Sequence, residues 1–232
     1  MYIMKKDHKQ RRSFRLGLRA KILGVSLPVT IIMVIVMIAI AYNVSEADIM
    51  ASSQSLLSTS AKDQSSQIEA WLNRKLDEVK TVKYDLESSG AIKDQKQLQR
   101  KLDDYYGLDS AFVGGFYIAD TKGNVVQASE NQTKYDGATE QIWYKEGLTR
   151  MNPGYTQAYE DSEGNMMISA CGMLDDPDDV RVLATSLSLD SVNIIVNSSV
   201  SMQGAESLLV DQGNGDILAS RDSELVSTSV NE

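Results

Sequence analysis

The chain has 232 residues, a net charge of −9, one cysteine and one histidine. Cys171 alone excludes an internal disulfide and, with His8 as the only histidine, leaves no His/Cys metal cluster and no histidine-based catalytic triad. The charge is divided, +7 over residues 1–21 and −16 over the remainder; an acidic bulk argues against nucleic acid as a partner.

Residues 22–42 follow the basic leader and contain no charged side chain. At ~1.5 Å per residue this stretch spans a hydrocarbon layer of ~30 Å, so it is read as a transmembrane helix. The small-x-small sequence Ala39-Ile40-Ala41 resembles a signal-peptidase site, but signal-peptide apolar cores run only about 7–15 residues. The positive-inside rule then keeps residues 1–21 in the cytoplasm and places the rest outside the cell membrane, in an extracellular or periplasmic space.

Residues 43–88 contain neither Pro nor Gly. Ile68, Leu72, Leu76, Val79, Val82 and Leu86 recur at helical spacing, one apolar stripe on a long helix that Gly90 ends. A second short helix is expected over 94–106. The period then changes to that of strands: 112–119, a turn at 120–123, a return strand at 124–128, and two further apolar runs at 166–174 and 180–189 joined by an acidic turn. Helices preceding an antiparallel sheet define an α+β domain.

Between those strands, residues 135–161 hold Tyr135, Trp143, Tyr144, Tyr155 and Tyr159, five of the twelve Tyr and Trp residues, with Asp161 close behind. Aromatic walls around sparse polar groups are what a small-molecule pocket requires, although core packing uses the same residues. An extended run over 140–143 would put Gln141 and Trp143 on one face and point Ile142 to the core.

Residues 208–211 and 217–220, around a turn with Gly213, Asn214 and Gly215, restate 117–120 and 125–129 at an offset of 91 positions. A second lobe of the same kind therefore begins near residue 204, and the chain reads as an amino-terminal fragment because one hairpin cannot bury a core.

The order of RLGLRAKILG (15–24), LSTSAKDQSSQIEAWLNRKLDEV (57–79), FVGGFYIADTKGNVVQAS (112–129), IWYKEG (142–147), YEDSEGNMMIS (159–169) and VRVLATSLSLDSV (180–192) resembles the double Cache sensor of bacterial receptors, most often methyl-accepting chemotaxis proteins. The resemblance implies a cytoplasmic leader (1–21), a membrane helix (22–42), a long extracellular helix (43–88), a membrane-distal PAS-like lobe (89–203) and an incomplete proximal lobe (204–232). It implies a homodimer, no enzymatic activity, no cofactor, and a small polar extracellular ligand, whether amine, amino-acid-like or heterocyclic. Amino-acid-binding members carry Arg-x-Trp-Tyr and, further on, Tyr-x-Asp; here Gln141, Trp143, Tyr144, Tyr159 and Asp161 occupy those positions, and Ser186 stands where a second acid is expected. Gln141 in place of a cation weakens capture of a free carboxylate. The alternative outputs for such an ectodomain are a histidine kinase or a cyclic-dinucleotide synthase, or a structural role without ligand.

Overall fold

The computed structural model describes residues 17–161, 164–198, 206–213, 215–220, 222–226 and 228–230. Most of the basic leader (1–16), the expected lobe boundary at 203–204 and Asn214 of the second turn lie outside the described residues. The chain divides into two compact units, 1–57 and 58–232, and the division falls within one continuous helix, α1 (Leu18–Ser88).

In the first unit α1 exposes apolar side chains on every side, from Ile22 to Tyr42. It is the one helix among the described residues long and apolar enough to cross a membrane. Pro28 lies inside it. A proline lacks the amide that would close its own turn, and the Thr30 hydroxyl donates to the Ser26 carbonyl nearby at 2.7 Å.

In the second unit the stripe on α1 becomes a packing face. Ile68, Val79, Val82 and Leu86 are buried, and Leu72 and Leu76 are partly buried against the same core. Gly90, at φ 70°, turns the chain after α1, in the left-handed region that glycine enters without penalty. Helix α2 (Gln95–Tyr105) is capped by Asp94, which accepts from the amides of Lys96 (2.9 Å) and Gln97 (3.4 Å).

The main sheet is antiparallel. Its strands are β1 (Phe112–Asp120), β2 (Val125–Gln127), β3 (Gly154–Tyr155), β4 (Tyr159–Glu160), β5 (Met166–Met173) and β6 (Arg181–Ser188). The order is β2-β1-β6-β5-β3, with β4 also pairing β5. Alternation along the strands divides the side chains between two faces. Phe116, Ile118, Ile168, Ala170, Leu183 and Leu187 join α1 and α2 in one core. Tyr117, Ala119, Cys171, Val182 and Ala184 form the other with the short helix α3 (Ile142–Gly147).

Helix α4 (Asp190–Ser198) leads to a second, two-stranded sheet of β7 (Leu208–Val210) and β8 (Ile217–Ser220). The 91-position repeat is therefore a pair of hairpins, but they are not superimposable in register. The Asp120 amide bonds to Asn124, whereas the Asp211 amide bonds to Asp216, one residue further on, and β7–β8 carries a register shift between Leu209 and Val210. The shift leaves Leu218 as one extra residue on β8, a bulge within the pair.

Candidate functional site

The face of the sheet turned toward α3 carries the candidate site. Tyr117 on β1, Ser169 on β5 and Ser186 on β6 project from it, and β4 brings Tyr159 alongside through its pairing with Met167. Their hydroxyls form a network. Tyr117 meets Ser186 at 2.8 Å, Tyr159 meets Ser169 at 2.7 Å and Ser186 at 3.2 Å, and the two serines are 3.2 Å apart. Tyr117 and Ser169 have no exposed surface, while Tyr159 and Ser186 are half-buried, so the network reaches solvent through the latter pair.

Aromatic rings wall this face. The Tyr117 ring lies 4.4 Å from Tyr135 and 4.9 Å from Trp143, and Trp143 stands edge-on to Tyr135 at 6.1 Å and to Tyr144 at 5.9 Å. Edge-to-face and offset geometries of this kind suit the ring quadrupoles. Burial raises the Tyr117 phenol well above its ordinary value, and pushes Tyr135 up to about 12. Both phenols therefore stay protonated at neutral pH. Cys171, buried on the same face, has its thiol pushed up to about 11 by burial, which removes it as a nucleophile.

The residues singled out in the sequence separate into three groups. Tyr159 and Ser186 meet directly, and Trp143 reaches them through Tyr117. Tyr144 is buried in the same apolar cluster, but its charged neighbours are Asp120 and Asp179, away from the hydroxyls. Gln141 and Asp161 are occupied elsewhere. Gln141 is exposed and donates its amide to the Asp136 carbonyl at 3.4 Å. Asp161 accepts from the Asn165 amide (2.9 Å) and side chain (3.1 Å) in the turn between β4 and β5.

The expected common face for Gln141 and Trp143 is not formed. Only Gln141 is extended, at φ −68° and ψ 149°; α3 begins at Ile142, so the two-residue alternation stops there. Trp143 turns inward, and Ile142 is half-buried instead of central. Sequence reasoning passed over Tyr117 and Ser169. The signal was present, since Ser169 is a polar residue within an otherwise apolar strand, in register with Ser186 across the β5–β6 pair.

No metal-holding group of three or more His, Cys, Asp or Glu occurs among the described residues. No protein-family model matches the sequence, and no curated protein sequence does. Solved structures do match. The ligand-binding domain of the Pseudomonas fluorescens chemoreceptor CtaA, in complex with L-serine, aligns at a TM-score of 0.61 and 20% identity, covering 75% of each chain. That of the Pseudomonas aeruginosa amino acid chemoreceptor PctB, with L-Arg, gives 0.60 at 20% identity over 75% of this chain and 74% of that one. The Campylobacter jejuni chemoreceptor Tlp3 domain, with L-norvaline, gives 0.55 at 18% over 74% and 70%.

The chain has the fold of chemoreceptor ligand-binding domains. The chemoreceptor-type sensor fold agrees with the double Cache resemblance read from the sequence, with its long helix backing an antiparallel sheet lobe.

Proposed function

We propose that this chain is the sensing part of a membrane-anchored bacterial chemoreceptor, in which the lobe of residues 89–203 binds a small polar molecule from outside the cell. Residues 22–42 anchor it, with the amino terminus cytoplasmic. The protein acts as a sensor and not as an enzyme, passing its response to a signalling module for chemotaxis. Ligand binding biases two packings of the long helix, a population shift between signalling states, and two copies pair through residues 51–88. The ligand contacts are Tyr159 and Ser186, with Tyr117 and Ser169 behind them and Trp143 as wall.

The observation that carries this reading is the convergence of four hydroxyls under aromatic rings on one sheet face, in a fold shared with solved domains in complex with L-serine and L-Arg. Few polar groups set among apolar walls orient a small ligand while excluding water. A thermal-shift screen of the full chain in detergent tests it, using amino acids, amines, purines, pyrimidines and sugars. A ligand at ~100 times its Kd stabilises the folded state by ~2.7 kcal/mol. A melting temperature unmoved by every compound contradicts ligand sensing by this lobe.

A further inference from the structure

We infer that the ligand of this site is an uncharged molecule that donates hydrogen bonds, not a zwitterionic amino acid; the inference rests on the reading of the hydroxyl-lined face as a ligand site. Tyr117, Tyr159, Ser169 and Ser186 carry one hydroxyl hydrogen each, and four contacts join them. Four hydrogens serve four contacts, which fills Ser186 with one donated and two accepted bonds and leaves the half-buried Tyr159 oxygen a lone pair to offer. Such a surface accepts N–H or O–H groups and offers nothing to an anion.

No full charge stands in the network to meet a charged ligand. The groups acting electrostatically on the buried Tyr117 phenol are themselves phenols, Tyr135 and Tyr159. Arg150, whose charge acts on Cys171 of this face, is committed: its guanidinium donates to the Tyr155 carbonyl at 2.7 Å and to Glu146 at 2.5 Å. Gln141 turns its neutral amide to the Asp136 carbonyl, and the Asp161 carboxylate holds the β4–β5 turn through Asn165. A carboxylate brought against Tyr159 and Ser186 would surrender its water without gaining a cation, and burial of an unpaired charge is strongly unfavourable. A neutral ring compound loses far less on leaving water, and the half-buried Tyr135 ring, packed on Tyr117 and Trp143, supplies apolar wall for it.

The test is isothermal titration calorimetry of the full chain in detergent micelles with two neutral donors, uracil and myo-inositol, and two charged compounds, L-serine and γ-aminobutyrate. A neutral compound is expected to bind, and the charged pair at least ~100-fold more weakly. Tyr159→Phe is expected to lower the affinity of the neutral ligand about tenfold, the effect of one lost hydrogen bond, and Ser186→Ala, which loosens the Tyr159 hydroxyl, to lower it by less. Uracil binding without myo-inositol selects a planar lactam as the donor, and the reverse selects a polyol. Tight binding of serine or γ-aminobutyrate overturns this inference and leaves ligand sensing intact. Silence from all four compounds contradicts the inference, and silence across the broader thermal-shift screen contradicts the underlying reading as well. Neutral binding that both variants leave unchanged places the ligand elsewhere and also overturns it.

Discussion

The Tyr155 hydroxyl donates a 2.6 Å hydrogen bond to the main-chain carbonyl of Leu72, joining β3 to the long helix α1 across 83 residues of sequence. Tyr155 closes the segment that carries the aromatic cluster, and Leu72 lies on the stripe that packs the helix against the sheet. Tyr155→Phe keeps the ring and removes the bond alone. It is expected to destabilise the protein by about 1 kcal/mol, a fall of roughly 2–4 °C in melting temperature. A melting curve superimposable on wild type would show that the Leu72 carbonyl gains nothing from the contact.

Trp143 is 3% exposed and touches three other aromatic rings, so its role in packing exceeds any role in binding. Trp143→Ala removes the largest side chain of that cluster and should cost about 3–5 kcal/mol, read from the urea midpoint. Loss of ligand binding in this variant would accordingly say little about contact, and Tyr159→Phe and Ser186→Ala are the cleaner site variants.

Gly147 closes α3 against the sheet, and a Cβ placed there would stand 2.3 Å from Cγ1 of Val182. Gly147→Ala should destabilise by about 1–3 kcal/mol through overpacking. Val182→Ala removes the obstructing methyl groups. In a double-mutant cycle the two changes together should cost less than their separate losses added, and strict additivity would contradict the close approach.

Asp85 accepts from Lys101 at 2.7 Å and from the Tyr105 hydroxyl at 2.8 Å, and these bonds hold its carboxyl below the ordinary value of 3.8. A depressed folded-state value means that the stabilisation is fully present above pH 3.8 and is lost as pH falls below it, through the folded-state value. Stability measured from pH 6 downward should therefore fall in the acid limb, and Asp85→Asn should flatten that limb while lowering stability at neutral pH. An acid limb of unchanged slope in the variant would contradict the contribution of Asp85.

Much of the fold was legible because its signals are local. The α1 stripe, the short helix after Asp94, the turn at Gly123 and the two long strands follow from periodicity and turn chemistry, and the structure places each within a residue or two of expectation. The site was legible only in part, since its polar network is assembled across strands distant in sequence. Tyr159 and Ser186 stand out by their place in the resemblance, but Tyr117 gains its meaning only from the β1–β6 register that sets its hydroxyl over Ser186. The common face expected for Gln141 and Trp143 is absent because helix α3 starts one residue after Gln141, a boundary that no periodicity in a six-residue helix could fix.

The central claim, that a small molecule binds on the hydroxyl-lined face of the sheet, is tested most directly by hydrogen–deuterium exchange of the full chain with and without a ligand found in the thermal-shift screen. Protection concentrated in residues 154–160, 166–173 and 181–188 is the expected result. Protection confined to the β7–β8 hairpin, or none in these three segments at saturating ligand, would contradict the claim.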